Sequence, residues 1–211
     1  MMPNNMIKVG VTGGAGSGKT TLCDFLKESG YPVIYADIIS KDVLLKYKDI
    51  SESIKLKLGE EFFDGETLNR KKLGNRIFSD SEYRKKLEDI IIPYMTKEAF
   101  IKFNQFEKKG EKICFLDAPT LFENDLHKKM NYTILIYIDD DIQLDRLIKR
   151  DKISKNQAKN MIESQMSQDE KIKLADFVIK NNSKISYAKE SLNEIINKIQ
   201  MDFREKMNDR Y

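Results

Sequence analysis

Apolar residues along the chain follow two alternating patterns, short continuous runs and longer stretches with helical spacing. Ile7-Lys8-Val9-Gly10-Val11-Thr12 reads as a first strand. Leu22, Phe25 and Leu26 then recur at helical spacing, ending at Gly30 with Pro32 just beyond. That pair is a stop signal, because glycine accepts the left-handed cap and proline cannot continue the ladder. Runs at 32–36, 113–116, 133–138 and 177–179 read as four further strands. Continuous apolarity marks strands covered on both faces, and strands alternating with helices imply right-handed crossovers. The pattern predicts an α/β fold, a five-stranded parallel sheet with helices on both faces.

Between the second and third strands, roughly 38–109, no strand is evident. Ile50, Ile54 and Leu58 share one helical face, and so do Leu87, Ile90, Ile91 and Tyr94. Asp64-Gly65 is a turn, Ser79 with Glu82 has the spacing of a capping box, and Pro93 is expected to kink or end a helix. This stretch is read as an inserted helical subdomain. A second helical excursion covers roughly 139–174. It holds a capping box at Ser154 and Gln157, and Ala158, Met161, Ile162 and Gln165 on one face. Ile185, Ala188, Leu192, Ile195, Ile196 and Ile199 line a final helix, and the polar tail after Gln200 is expected to fray.

Composition narrows the class. A chain of 211 residues, 40% hydrophobic and 34% charged, has the balance of one globular domain rather than of a disordered or membrane protein. No run approaches the ~20 apolar residues of a spanning helix. The segment Met1 to Met6 lacks the apolar core of a secretory signal. Thirty-seven basic against 34 acidic residues leave +3, which argues against a large nucleic-acid footprint. Two cysteines, Cys23 and Cys114, and one histidine, His127, are too few for a structural zinc site or a disulfide framework. They read as ordinary buried thiols in a protein of the reducing cytoplasm, and His127 is assigned no role.

Gly13-Gly14-Ala15-Gly16-Ser17-Gly18-Lys19-Thr20 fits G-x-x-x-x-G-K-[ST], directly after a strand and before a helix. Glycines let the backbone turn its N–H groups of Gly14, Ala15, Gly16, Ser17 and Gly18 around phosphate oxygens. The following helix adds the unpaired N–H groups of its first turn, Thr20 and Thr21 included, and a positive dipole end. Lys19 can reach the β- and γ-phosphates of ATP, and the Thr20 hydroxyl can ligate Mg²⁺. Asp37 ends the second strand, where it could take a proton from an acceptor hydroxyl or simply cap the next helix. Asp117 follows the third strand and could hold a Mg²⁺ water, or be an ordinary strand-end carboxylate. Arg146 and Arg150 lie four apart and could meet a triphosphate, or form a solvated basic face with Asp145 and Asp151. Leu121 and Phe122 in Pro119–Asn124 could wall a pocket for an organic acceptor, or tuck into the core.

Taken together and in order, these segments resemble the dephospho-coenzyme A kinase family over about Ile7 to Ile199. Val11 to Lys19 is similar to the family's T-G-G-I-G-S-G-K loop, with Ala15 for Ile. Tyr35-Ala36-Asp37 resembles its D-A-D signature, and Asp64-Gly65 with Leu68 and Arg70 its D-G-x-L-x-R turn. Asp117 to Glu123 is similar to D-I-P-L-L-F-E, and Gln143, Arg146 and Arg150 match a Q-x-x-R-x-x-x-R helix. Gln165 and Ala175-Asp176 to Asn181 match the later Q and A-D-x-V-I-x-N elements. Tyr35, Ile92 and Thr120 depart from the family's Asp, His and Leu. The resemblance implies a single P-loop kinase domain over 1–211, with 38–109 as the acceptor-binding subdomain and 139–174 as the lid region. It implies ATP and Mg²⁺, with dephospho-CoA phosphorylated on its ribose 3′-hydroxyl. Asp37 would be the base, Lys19 and Arg146 would stabilise the transferring phosphoryl group, and Arg150 and Asn181 would help bind nucleotide. Asp37, Arg70, Pro119, Leu121, Phe122 and Glu123 would meet the acceptor, and Thr20 and Asp117 the metal. No nucleic-acid or membrane partner is expected, and the chain is expected to be a monomer or weak homo-oligomer. The nearest alternative is another P-loop nucleoside or nucleotide kinase. A regulatory GTPase would need N-K-x-D, and Asn197-Lys198-Ile199-Gln200 lacks the Asp.

Overall fold

The computed structural model describes residues 6–208, the side chains of Phe78 and Ser79 excepted. The first five residues, on which part of the signal-peptide reading rests, and the last three lie outside that range. The described chain divides into two compact units: Ala36–Lys102, and the remainder before and after it.

The larger unit is built on a five-stranded parallel sheet. In chain order its strands are β1 (Ile7–Gly13), β2 (Val33–Tyr35), β5 (Ile113–Asp117), β6 (Tyr132–Tyr137) and β7 (Phe177–Lys180). Their order across the sheet is β2-β5-β1-β6-β7. β1 is central and pairs with β5 (Val11↔Asp117) and with β6 (Gly13↔Ile136). β1 and β5 are buried along their whole length, whereas the outer strands β2 and β7 are only partly buried. Continuous apolarity therefore tracks interior position in the sheet. One face carries Val9, Val11, Phe115, Ile134 and Ile136 against Leu22, Cys23 and Leu26 of α1 (Lys19–Glu28) and Leu192, Ile196 and Ile199 of α9 (Ile185–Asn208). On the other face a Cβ at Gly10 would come within 2.6 Å of Leu121 Cδ2, so glycine here admits the loop after β5. α9 continues to Asn208 where fraying was expected. Phe203 packs on the core, and Asp202 accepts from the Tyr132 hydroxyl and pairs with Lys206 at 2.7 Å.

The smaller unit contains α2 (Ala36–Lys46), α3 (Lys48–Leu58), a hairpin of β3 (Phe63–Asp64) and β4 (Thr67–Leu68), α4 (Arg70–Ser79) and most of α5 (Ser81–Lys108). The hairpin corrects the strand-free reading. Two-residue strands are too short to show alternation, and only the turn at Gly65 (φ 63°) was visible. Ile50, Ile54, Leu58, Leu87, Ile90 and Ile91 are buried as their spacing predicts. The capping residue before α5 is Asp80, whose Oδ1 accepts from the N–H of Glu82 (3.0 Å) and Tyr83 (3.3 Å); Ser79 ends α4. Pro93 lies inside α5 without ending it. Proline forfeits one helical donor, and the apolar face before and after it continues the helix. Glu98 accepts from Lys46 Nζ (2.7 Å) and the Tyr47 hydroxyl (2.6 Å), tying α5 to the end of α2.

After β6 come α6 (Asp140–Asp151), α7 (Lys155–Glu163) and α8 (Gln168–Leu174). The capping box at Ser154 and Gln157 is formed, while Gln165 lies beyond α7 rather than on its face. No described helix is long and apolar enough to cross a membrane.

Candidate active site

Gly16 (φ 79°) and Gly18 (φ 86°) occupy the left-handed region that side chains disfavour, and they coil the loop between β1 and α1. Ser17 N–H closes the coil on Gly14 O at 3.0 Å. Gly18 caps α1 with no side-chain acceptor, and no acidic residue stands in the helix's first turn. The free N–H groups and positive dipole end are thus left for an anion.

Lys19 is the first residue of α1. Its Nζ pairs with Asp117 Oδ1 at the end of the neighbouring strand β5, with both side chains less than a tenth exposed. Lys19 is therefore held at the start of α1 by a carboxylate from the end of β5. Thr20 and Thr21 are exposed on the first turn. Cys23, one turn further, is buried. Burial and the nearby Asp117 push its thiol well above the ordinary range, so it stays neutral. Burial pushes Cys114 up to about 12, and both thiols are free.

α6 faces the loop through Gln143, Arg146 and Leu147, which share one helical side. A Cβ at Gly16 would come within 3.2 Å of Leu147 Cγ. Arg146 Nη2 donates to Asn181 O (2.9 Å), and Asn181 Nδ2 donates to Ser17 O (2.7 Å). Asn181 is buried just past β7, held by its N–H on Tyr137 O, and its Oδ1 has no protein partner. Loop, Arg146 and Asn181 thus form one bonded set. Arg150 stays outside it. That guanidinium is exposed and grips Asp151 through two 2.8 Å bonds, which raise its pKa further.

Among the segments compared with the acceptor pocket, Leu121 and Phe122 are buried, which is the tucked-in arrangement. Pro119 O accepts from Thr12 Oγ1 at 3.0 Å. Glu123 Oε1 accepts from Lys171 Nζ (2.8 Å) and from Met166 N–H (3.2 Å). Lys171, fully buried on α8, was not singled out in the sequence, because a lysine there carries no motif. Tyr35 donates to Asp24 Oδ1 (3.0 Å), and burial together with that bond raises its phenol's pKa.

In the smaller unit Asp37 is exposed, the second residue of α2, and its carbonyl accepts from Ser40 Oγ (2.9 Å). Asp64 Oδ2 accepts from Asn69 Nδ2 (2.9 Å), and Asn69 Oδ1 accepts from Lys72 N–H (3.0 Å). Asn69 is thereby set as the cap of α4, with the exposed Arg70 as its first residue.

A phosphate-binding loop alone is common to many enzymes, and wider likeness decides among them. The sequence pattern of the family described as "Dephospho-CoA kinase" matches residues 7–187. The chain belongs to the dephospho-CoA kinase family. A dephospho-CoA kinase of Clostridium perfringens is 42% identical over 90% of this chain and 96% of its own length. The solved dephospho-CoA kinase of Campylobacter jejuni is 26% identical, with a TM-score of 0.64 over 91% of this chain and 96% of its own. A shikimate kinase of Acinetobacter baumannii, solved with shikimate, is 16% identical with a TM-score of 0.55, over 94% of this chain and 96% of that one. That likeness shows the shared P-loop kinase fold alone. As a member of the dephospho-CoA kinase family the chain is an ATP-dependent kinase.

Proposed function

We propose that the chain transfers the γ-phosphoryl group of ATP to the ribose 3′-hydroxyl of dephospho-CoA, giving ADP and coenzyme A. The observation that carries this reading is the family match across residues 7–187, in a chain that keeps Lys19, Asp37 and Arg146.

The chemistry follows from the groups present. The loop N–H groups and the start of α1 bind the β-phosphate. Lys19 exchanges its partner Asp117 for the β- and γ-phosphates, and Arg146 spreads the charge that grows on the transferring group. Asp37 orients the 3′-hydroxyl and accepts its proton as the oxygen attacks phosphorus, and ADP leaves. Asn181 completes the nucleotide site, with Arg150, paired with Asp151, at its periphery; Arg70, Pro119 and Glu123 serve the acceptor, and the buried Leu121 and Phe122 back the loop after β5 from within the core. The Ala36–Lys102 unit serves as the acceptor-binding subdomain, and 139–174 as a lid that excludes water, a competing acceptor.

Mg²⁺ fits this donor set. Among the described residues no cluster of three acidic, histidine or cysteine side chains could hold a metal without a substrate. The Thr20 hydroxyl and the Asp117 carboxylate suit an ion that keeps its waters and binds mainly through phosphate oxygens. Thr20 and Asp117 would hold Mg²⁺, which would supply charge neutralisation at the phosphates of the nucleotide. We place the reaction in the cytoplasm, in keeping with two free thiols, and take the enzyme to be a monomer or weak homo-oligomer without a nucleic-acid partner.

The test is ADP release with Mg-ATP and a panel of acceptors. Dephospho-CoA should exceed nucleosides and nucleoside monophosphates by at least about a hundredfold in kcat/KM, the discrimination expected of a site built for one hydroxyl-bearing substrate. A preferred nucleoside or nucleotide would reassign the enzyme to that class of kinase.

A further inference from the structure

Ala15 is gripped from both sides by glutamines distant in the chain. Its N–H donates to Gln165 Oε1 at 3.1 Å, and its carbonyl accepts from Gln143 Nε2 at 2.7 Å. The amide orientations are fixed by chemistry, since a backbone N–H needs an oxygen and a carbonyl needs an N–H. Gln143 Oε1 in turn accepts from Gln168 Nε2 at 3.1 Å, and Gln168 Oε1 accepts from Ile138 N–H at 3.2 Å. A Cβ at Gly14 would fall 2.6 Å from Gln143 Nε2, so the glycine before Ala15 admits this glutamine.

Gln165 lies in no helix, so its aim must be set by its neighbours. Met166 N–H, the next backbone group, donates to Glu123 Oε1, and Glu123 is pinned by the buried Lys171. Two successive residues between α7 and α8 thus hold the phosphate loop and the loop after β5.

We propose that Gln143 and Gln165 are positioning residues for nucleotide, clamping Ala15, whose own N–H is taken by Gln165 and not by phosphate as expected, so that the N–H groups at the start of α1 stand ready for phosphate. The proposal rests on the kinase reading above and names what prepares its donor site. Neither glutamine need touch ATP, and their removal should weaken ATP binding while leaving the chemical step.

The test measures ATP affinity without acceptor, then kcat and both KM values with dephospho-CoA, for four variants. Gln165→Met and Gln143→Met keep side-chain length and remove the bonds. Each should weaken ATP binding about five- to tenfold, the worth of one hydrogen bond of ordinary strength. kcat and the KM for dephospho-CoA should change less than about twofold, a split that general loosening would not give. Gln165→Glu retains an acceptor for the Ala15 N–H, whereas Gln143→Glu sets a carboxylate against the Ala15 carbonyl. Both add the same charge near the phosphates, so their comparison isolates the clamp. Gln165→Glu should bind ATP about tenfold more tightly than Gln143→Glu, as befits a kept against a lost bond. Equal affinity of the two glutamate variants, or methionine variants that bind ATP like the parent, would overturn the clamp. Should a methionine variant fail to fold, Gln165→Asn, too short by one methylene, takes its place with the same expected loss. A parent enzyme that binds ATP but ignores dephospho-CoA overturns the acceptor reading alone. A parent that binds no ATP overturns both.

Discussion

Lys19 and Asp117, 98 residues apart in sequence, form a buried ion pair at the point where the phosphate loop meets the end of β5. The parallel register of β1 and β5, which sets Val11 beside Asp117, creates that meeting. Removing one partner of such a pair leaves a buried charge, at a cost of about 3–5 kcal/mol. Lys19→Ala should therefore lower the melting temperature of ligand-free enzyme, and Lys19→Ala with Asp117→Asn should recover part of the loss. A double variant no more stable than the single one would contradict the coupling. Lys19→Ala should also cut kcat/KM by about a hundredfold or more, as loss of a positioned phosphate donor does.

Arg146 and Arg150 should separate. Arg146 is bonded to the phosphate loop through Asn181, so Arg146→Ala should lower kcat about a hundredfold, in line with loss of a transition-state charge partner. Arg150 is exposed and paired with Asp151, and Arg150→Ala should cost less than about tenfold, as exposed pairs contribute little. Steady-state kinetics of the two variants decides, and equal losses would return Arg150 to the core of the site.

The layering and the phosphate loop were legible in the sequence because both rest on local rules, run length and glycine spacing. The partnerships were not. Nothing near Lys171 announces that Glu123 will cover it, and Gln143 meets Ala15 only once the sheet order is known. Pro93 misled for a related reason: a local breaker signal yields when a helix already has an apolar face on both sides of it. The tail after Gln200 was read as frayed because Phe203 and Asp202 find partners only in the folded sheet.

Lys171→Met tests the second fastening. It removes the only charge paired with Glu123 among the described contacts, and because Glu123 keeps some exposure it should cost less than the about 3–5 kcal/mol of a fully buried pair, while remaining measurably destabilising. Urea unfolding measures the loss, and a neutral substitution would show that Glu123 finds water instead.

Acid should act on the smaller unit through Glu98. Its bonds from Lys46 and Tyr47 hold its pKa below the ordinary glutamate value of about 4.3. The folded state thus gives up this proton more readily than the unfolded one, so the stabilisation is complete above that value and disappears as pH falls through the lowered pKa. Glu98→Gln should flatten the loss of stability that sets in as pH falls below the ordinary glutamate value of about 4.3. An unchanged acid limb in urea titrations would contradict this.

Neither thiol should react while the chain is folded. Cys23 and Cys114 are buried with raised pKa values, so a thiol reagent at pH 8 should label both only upon unfolding. Mass spectrometry with and without denaturant counts the labels, and rapid native labelling of Cys23 would mean that α1 opens.

Single-turnover transfer from γ-labelled ATP to dephospho-CoA tests the mechanism most directly when Asp37→Asn is set beside the parent enzyme. The variant should bind ATP with unchanged affinity and transfer label at least about a hundredfold more slowly, the loss expected when a general base is removed. Label reaching the 3′-hydroxyl at the parent rate would contradict the assignment of Asp37.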